Sequence, residues 1–254
     1  MHRTPTNNTH TRSGHVFKFV GNEVLIGYST AANIILNLII KSEVQNIIIS
    51  GTSIRDGLIA ELNKENRINP DKVAYYKVLA KNQRFTGMQT KIKKIFNPIF
   101  KKIADKDLER VFKISTNLSD ISWDEQPDLR GYIAANKILS LPIRDLTHVE
   151  RVWMAKVVYH RYVGMKEKKQ IEKSIINLLT EEQKASSYAV GLGLRFIYIF
   201  CGGYPKNLEK IKLKIKKNKL ICKIKPEAKS LMDKEVERRL KDFANASNLN
   251  YEIV

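Results

Sequence analysis

Histidines and carboxylates are the side chains here whose chemistry could run a reaction, so their spacing is the first question. His148 and His160 stand twelve residues apart on one expected helix. That turns them roughly 120° apart around the axis, so they cannot share one ion. A hydrolytic metal site built on an adjacent His-Asp pair has its nearest counterpart in Leu118-Ser119-Asp120-Ile121. Ser119 stands where the histidine would be, and a hydroxyl replaces an imidazole ligand poorly. Asp120, His148 and His160 are therefore expected to be structural, or polar groups lining a cleft. His2, His10 and His15 lie in a polar start whose spacings suit no chelate. Cys201 and Cys222 are too few for a disulfide scaffold or a cysteine metal site, and a reducing, cytoplasmic setting is the default. No metal ligands are expected.

Anion chemistry has two better candidates. In NIIISGTSIRDGLIAEL, residues 46–62, a β-branched run meets Ser50-Gly51 and then a helical spacing through Ile54, Leu58, Ile59 and Leu62. Gly51 allows a sharp turn, Thr52 or Ser53 could cap the helix, and a helix start offers free N–H groups to an anion. The second candidate is the alternation of Lys210, Lys212, Lys214 and Lys216 with Ile211, Leu213 and Ile215, continued after Lys217-Asn218 by Leu220, Cys222 and Ile224. This reads as a hairpin with one buried face and one lysine face. A half-solvated strand pair without any ligand has the same pattern. The formal net charge is +19, which attracts nucleic acid, anionic membrane or polyphosphate. General richness in lysine, isoleucine and asparagine would produce the same sum.

The elements that must position these groups follow from periodicity. Residues 1–20 show no period and are expected to be a disordered tail. Residues 28–44 have the spacing of a buried helix, and with the strand–turn–helix of 46–62 they form one α/β piece, 21–66, too small to stand alone. Residues 67–200 read as all-helical. Helical stripes start at Lys72, run through Ile92–Ile103 and Leu108–Trp123, and return in Ile133–Leu141, Val149–Tyr162, Ile171–Leu179 and Ser186–Phe200. Pro98 is expected to start or kink a helix rather than sit inside one. Thr147 and Glu150 have capping-box spacing. Gly191 and Gly193 suit close packing, and Gly202-Gly203 a helix stop. The hairpin, a helix over Ser230–Asn245 and a last strand at Tyr251–Val254 make a small α/β end, 201–254. The fold class is α+β. No apolar run reaches the length of a membrane span, and the N-terminus lacks the apolar core of a secretory signal. Phosphate-loop, dinucleotide and nucleophile-elbow motifs are absent from the sequence.

The segment IIISGTSIRDGLI resembles the stretch that closes the second actin-like domain in the exopolyphosphatase and guanosine pentaphosphate phosphatase (Ppx/GppA) family. LSDISWDEQPDLR, HVERVWMAKVVYHRYVG and VGLGLRFIYIFCGGYP resemble that family's HD-like helical domain in its alphaproteobacterial form. The motifs occur in the family's order over about residues 21–254. The resemblance implies an incomplete actin-like piece, an HD-like helical domain and a small α/β end. It implies release of terminal phosphate from polyphosphate, with Mg²⁺ in the complete enzyme. The family's phosphate loops and water-activating acid lie upstream of the matching region and cannot be placed in residues 1–45. The chain is thus expected to hold no catalytic residues and no Mg²⁺, and to be inactive alone. Ser50, Gly51, Arg55, Asp56 and Gly57 match the domain-closing motif, with Arg55 the leading phosphate or interdomain contact. Asp120, His148, Arg151, His160, Arg161 and Arg195 match helical-domain positions. Ser50, Gly51, Arg55, His148, Arg151, His160, Arg161 and Arg195 are the substrate-binding expectation, each alternatively a structural bridge or cap. Expected partners are polyphosphate or another polyanion, a separately encoded N-terminal part, and a second copy of the chain, with no membrane. The competing reading is a non-catalytic binding module for polyphosphate, nucleotide or RNA.

Overall fold

The computed structural model describes residues 25–43, 54, 58, 84, 85, 87–141, 146–165, 171 and 173–254. The chain divides into two compact units, 1–49 and 50–254. In the first, helix α1 spans Leu25–Lys41. It lies where helical spacing places it, but Ile34, Ile35, Leu38 and Ile40 are each more than half exposed. The expectation of a buried helix is corrected here: these apolar side chains stay largely exposed, and Ile39 is only half-buried. Most of the 46–62 segment, including Ser50, Gly51 and Arg55, and the helical start at Lys72 lie outside the described residues. Ile54 and Leu58 are helical and exposed.

The second unit is mostly helical with a small three-stranded sheet at its end. Its helices are α2 (Met88–Ile103), α3 (Glu109–Leu118), α4 (Arg130–Ser140), α5 (His148–Val163), the single turn α6 (Lys173–Ile176), α7 (Glu181–Cys201) and α8 (Lys234–Ala246). Strands β1 (Ile211–Lys216), β2 (Lys219–Ile224) and β3 (Asn250–Ile253) lie in the order β1-β2-β3. Helix α5 is the centre, packing on α4, α7 and α3, while α7 carries α8 and α2 carries β1.

Pro98 sits inside α2, contrary to expectation. Its missing N–H orphans the carbonyl of Lys94, and both residues are exposed, so water can satisfy that group. On the opposite face Ile92, Ile95, Phe96, Ile99 and Phe100 are buried and hold the helix together. The helical spacing read through Trp123 stops at Leu118. There Ser115, Thr116 and Ser119 donate to the carbonyls of Val111, Lys113 and Thr116, a competition that bends and ends helices. The Ile171–Leu179 stripe yields only α6, because Thr180 must be extended to cap α7. Its hydroxyl accepts from the N–H of Gln183, completing a capping box. Thr147 and Glu150 make the expected box on α5. Helix α8 starts at Lys234, where the Asp233 side chain accepts from Val236 N–H.

Aromatic rings tie the layers together. Phe100 stacks on Phe112 at 4.5 Å and meets Trp153 edge-on at 6.3 Å, while Phe96 reaches Phe243 of α8 at 5.5 Å. One apolar core therefore runs from Met88 to Ala244. The glycines of α7 let it approach: a Cβ on Gly191 would fall 2.6 Å from His160 Cβ and 2.6 Å from the Val157 carbonyl oxygen. The hairpin turns at Lys217 and Asn218, both left-handed with φ 46° and 59°, as a two-residue hairpin turn requires.

Candidate functional site

The carboxylate of Asp120 is 1% exposed in the turn after α3. An unpaired charge in that position would be strongly destabilising. Arg161, in the last turn of α5, donates Nη2–H to Asp120 Oδ1 at 2.6 Å. Arg84 Nε lies 3.8 Å from Oδ2. The Arg161 guanidinium is sandwiched between two rings, 4.0 Å from the centroid of Tyr162 and 3.9 Å from that of Tyr198. Tyr198 and Ser119 share a hydroxyl–hydroxyl bond of 2.8 Å, and the Tyr162 hydroxyl accepts from Ser122 N–H at 3.1 Å. Burial pushes the Tyr162 hydroxyl up to about 12 and drives Tyr198 higher too. Both stay protonated at neutral pH and cannot act as bases.

The other matched arginines serve helix ends. Arg195 of α7 donates Nη1–H to the carbonyls of Arg161 (3.2 Å) and Tyr162, two acceptors that the end of α5 leaves without intrahelical partners. Gly164, with φ 72°, leaves room for this guanidinium, since a Cβ there would be 3.0 Å from Arg195 Nε. Burial, with Arg239 and Arg161 nearby, lowers Arg195 to about 10, so it remains a cation. Arg151 donates to the Leu141 carbonyl at the end of α4. Arginine forks at helix C-termini complement both the orphaned carbonyls and the dipole.

His160 is 1% exposed. Burial pushes its imidazole down to about 4, against the Gly164 carbonyl, which raises it. It is neutral at pH 7. Nδ1 lies 3.1 Å from the Gly164 carbonyl oxygen, an acceptor, so the proton is assigned to Nδ1. The ring meets Tyr159 and Tyr188 edge-on at 5.1 and 4.7 Å. Its outer side borders a cleft of about 120 Å³ shared with Lys156, Ile171 and Lys173. His148 is exposed at the start of α5, the other end of the helix.

The structure thus brings together Asp120, Arg161 and Arg195, with His160 one helical turn before Gly164, and leaves His148 and Arg151 apart from them. Sequence reasoning missed Arg84, Tyr162 and Tyr198, whose partners are long-range: Ser119 and Tyr198 are 79 residues apart. Mg²⁺ does not fit this cluster. It prefers carboxylate oxygens and water, whereas Asp120 faces two guanidinium groups. No group of three His, Cys, Asp or Glu is gathered for a metal among the described residues.

Fold and polar core together define an α+β domain whose inner charges support helix ends. Residues 97–254 match the family model described as exopolyphosphatase, C-terminal. That is well over half the chain, and the protein belongs to this family. No curated protein matches it. No helix among the described residues is long and apolar enough to cross a membrane.

Proposed function

We propose that the chain works as the C-terminal part of an exopolyphosphatase-type phosphohydrolase, which releases terminal phosphate from polyphosphate. In this reading bond cleavage depends on groups that the chain does not carry. The observation behind it is the family match over 97–254. Supporting it, Asp120 is locked to Arg161 and His160 is buried and neutral, so neither is poised to activate water. Phosphoryl transfer also needs donors and a metal around the phosphate, and Mg²⁺ would come with the complementary part.

In this reading residues 21–66 close an incomplete actin-like domain, 67–200 form an HD-like helical domain and 201–254 a small α/β end. Ser50, Gly51 and Arg55 contact substrate. In the helical part the exposed His148 and the half-exposed Arg84 reach a polyanion, while Arg151, Arg161 and Arg195 act as positioning groups and His160 lines the cleft. Two free, buried cysteines suit a reducing, cytoplasmic setting.

The test is phosphate release from long-chain polyphosphate with Mg²⁺, by the purified chain alone and mixed with the N-terminal part of a family enzyme. No release alone and release in the mixture is the expected result. Turnover by the lone chain would overturn the claim that cleavage lies elsewhere.

A further inference from the structure

Lysines dominate the outward face of the sheet, which also carries the half-buried Ile221 opposite Lys214, and Asn250 and Glu252 of β3. Strand β1 presents Lys212, Lys214 and Lys216, and β2 presents Lys219 and Lys223, all exposed. The register sets Lys212 directly opposite Lys223 and Lys216 directly opposite Lys219. Like charges in such cross-strand pairs destabilise a sheet. Among the described residues Lys219 alone of these has an acidic partner, Glu252 of β3 at 3.4 Å. Lys212, Lys214, Lys216 and Lys223 have no ion-pair partner among the described residues. Lysines that guard a sheet against edge-to-edge pairing belong on edge strands. Yet β2 is the central strand, paired on both sides, so edge protection does not account for Lys219 and Lys223.

We propose that this face docks the phosphate backbone of duplex nucleic acid. Lysines two residues apart on a strand are about 6.7 Å apart, two of the ~3.4 Å axial steps between successive phosphates of a duplex strand. The second row, about 4.8 Å away on the neighbouring strand, makes the array broader than a single linear polyanion needs. The face has no aromatic side chain on which an unstacked base could lie, so the contact is with paired strands and is indifferent to sequence. Its one large apolar side chain, Ile221, is half-buried among the lysines, and the face offers no Trp, Phe or Leu to enter an acyl layer. The inference is independent of the phosphohydrolase reading.

The experiment is binding of the full chain to a labelled ~20-base-pair DNA duplex, titrated with salt upward from about 50 mM. Two unrelated duplex sequences are expected to bind alike, with a slope of log affinity against log salt of about −4. The variant Lys212→Gln, Lys214→Gln, Lys223→Gln is expected to bind at least ~10-fold more weakly and to lose about 3 from the slope. A control with equal charge loss elsewhere, Lys101→Gln, Lys102→Gln, Lys106→Gln, is expected to keep both. Lys223→Gln alone, expected to take about 1 from the slope, serves if the triple variant misfolds. Absence of duplex binding at low salt, equal losses in the two triple variants, or binding to phosphatidylserine vesicles in place of duplex would each overturn the proposal.

Discussion

In the helical part Arg151, Arg161 and Arg195 each have named acceptors: the Leu141 carbonyl, the Asp120 carboxylate, and the carbonyls of Arg161 and Tyr162. On the outer face of the sheet, Lys212 and Lys223 point into solvent opposite one another. The two regions use different cations for different ends. Planar guanidinium groups, with donors in a fixed fork, satisfy several oxygens at once and stack on rings, which suits a buried network. Ammonium groups on flexible stems are strongly hydrated point charges, which suits an exposed surface. A net charge of +19 therefore says little until each cation is placed. In the core it is spread over internal acceptors, and on the sheet it is left facing outward.

That contrast can be pressed from its most costly element down. Arg161→Met leaves Asp120, among the described residues, with Arg84 at 3.8 Å as its remaining cation and should cost about 3 kcal/mol in urea unfolding. A loss near zero would mean that the pair does not support the helical part. His160 gives a pH signature of similar size. Its pKa falls from the ordinary 6.5 to about 4 in the folded chain, so between these values the unfolded chain binds the extra proton. Stability is full above pH 6.5 and declines as pH falls, by about 3 kcal/mol at pH 4. In His160→Gln that part of the decline should vanish. Gly191→Ala forces a Cβ against backbone of α5 and should cost about 1–3 kcal/mol, read as a lowered Tm. Thr147→Ala removes one half of the capping box and should cost about 1 kcal/mol. None of these four should change the affinity of the sheet for duplex at low salt. A change in any of them would merge the two regions that the comparison separates.

Local rules made some of this legible in the sequence. The Thr147–Glu150 box, the lysine–apolar alternation of the hairpin and the close-packing glycines of α7 all depend on neighbours within a few residues. Thr180-Glu181-Glu182-Gln183 carries the same capping signal. Pro98 misled because the propensity rule has no term for an orphaned carbonyl that faces water while the opposite face is buried. A bridge or cap was a legible alternative for the arginines, but their partners were not: Arg161 finds Asp120 across 41 residues, and no periodicity encodes such a meeting. For α1, apolar spacing gave the helix but not its surroundings, since a stripe of isoleucine and leucine states a need for cover without naming the cover.

The most direct test of the contrast is urea unfolding of two variants side by side, Asp120→Ala and the Lys212→Gln, Lys214→Gln, Lys223→Gln triple. Removing Asp120 strands a buried guanidinium that cannot shed its charge, and a loss of about 3–5 kcal/mol is expected. Removing the three lysines relieves like-charge pairing, so stability should stay within about 0.5 kcal/mol or rise. A cost below about 1 kcal/mol for Asp120→Ala, or a comparable cost for both variants, would contradict the division between cations that hold the fold and cations that the fold does not need.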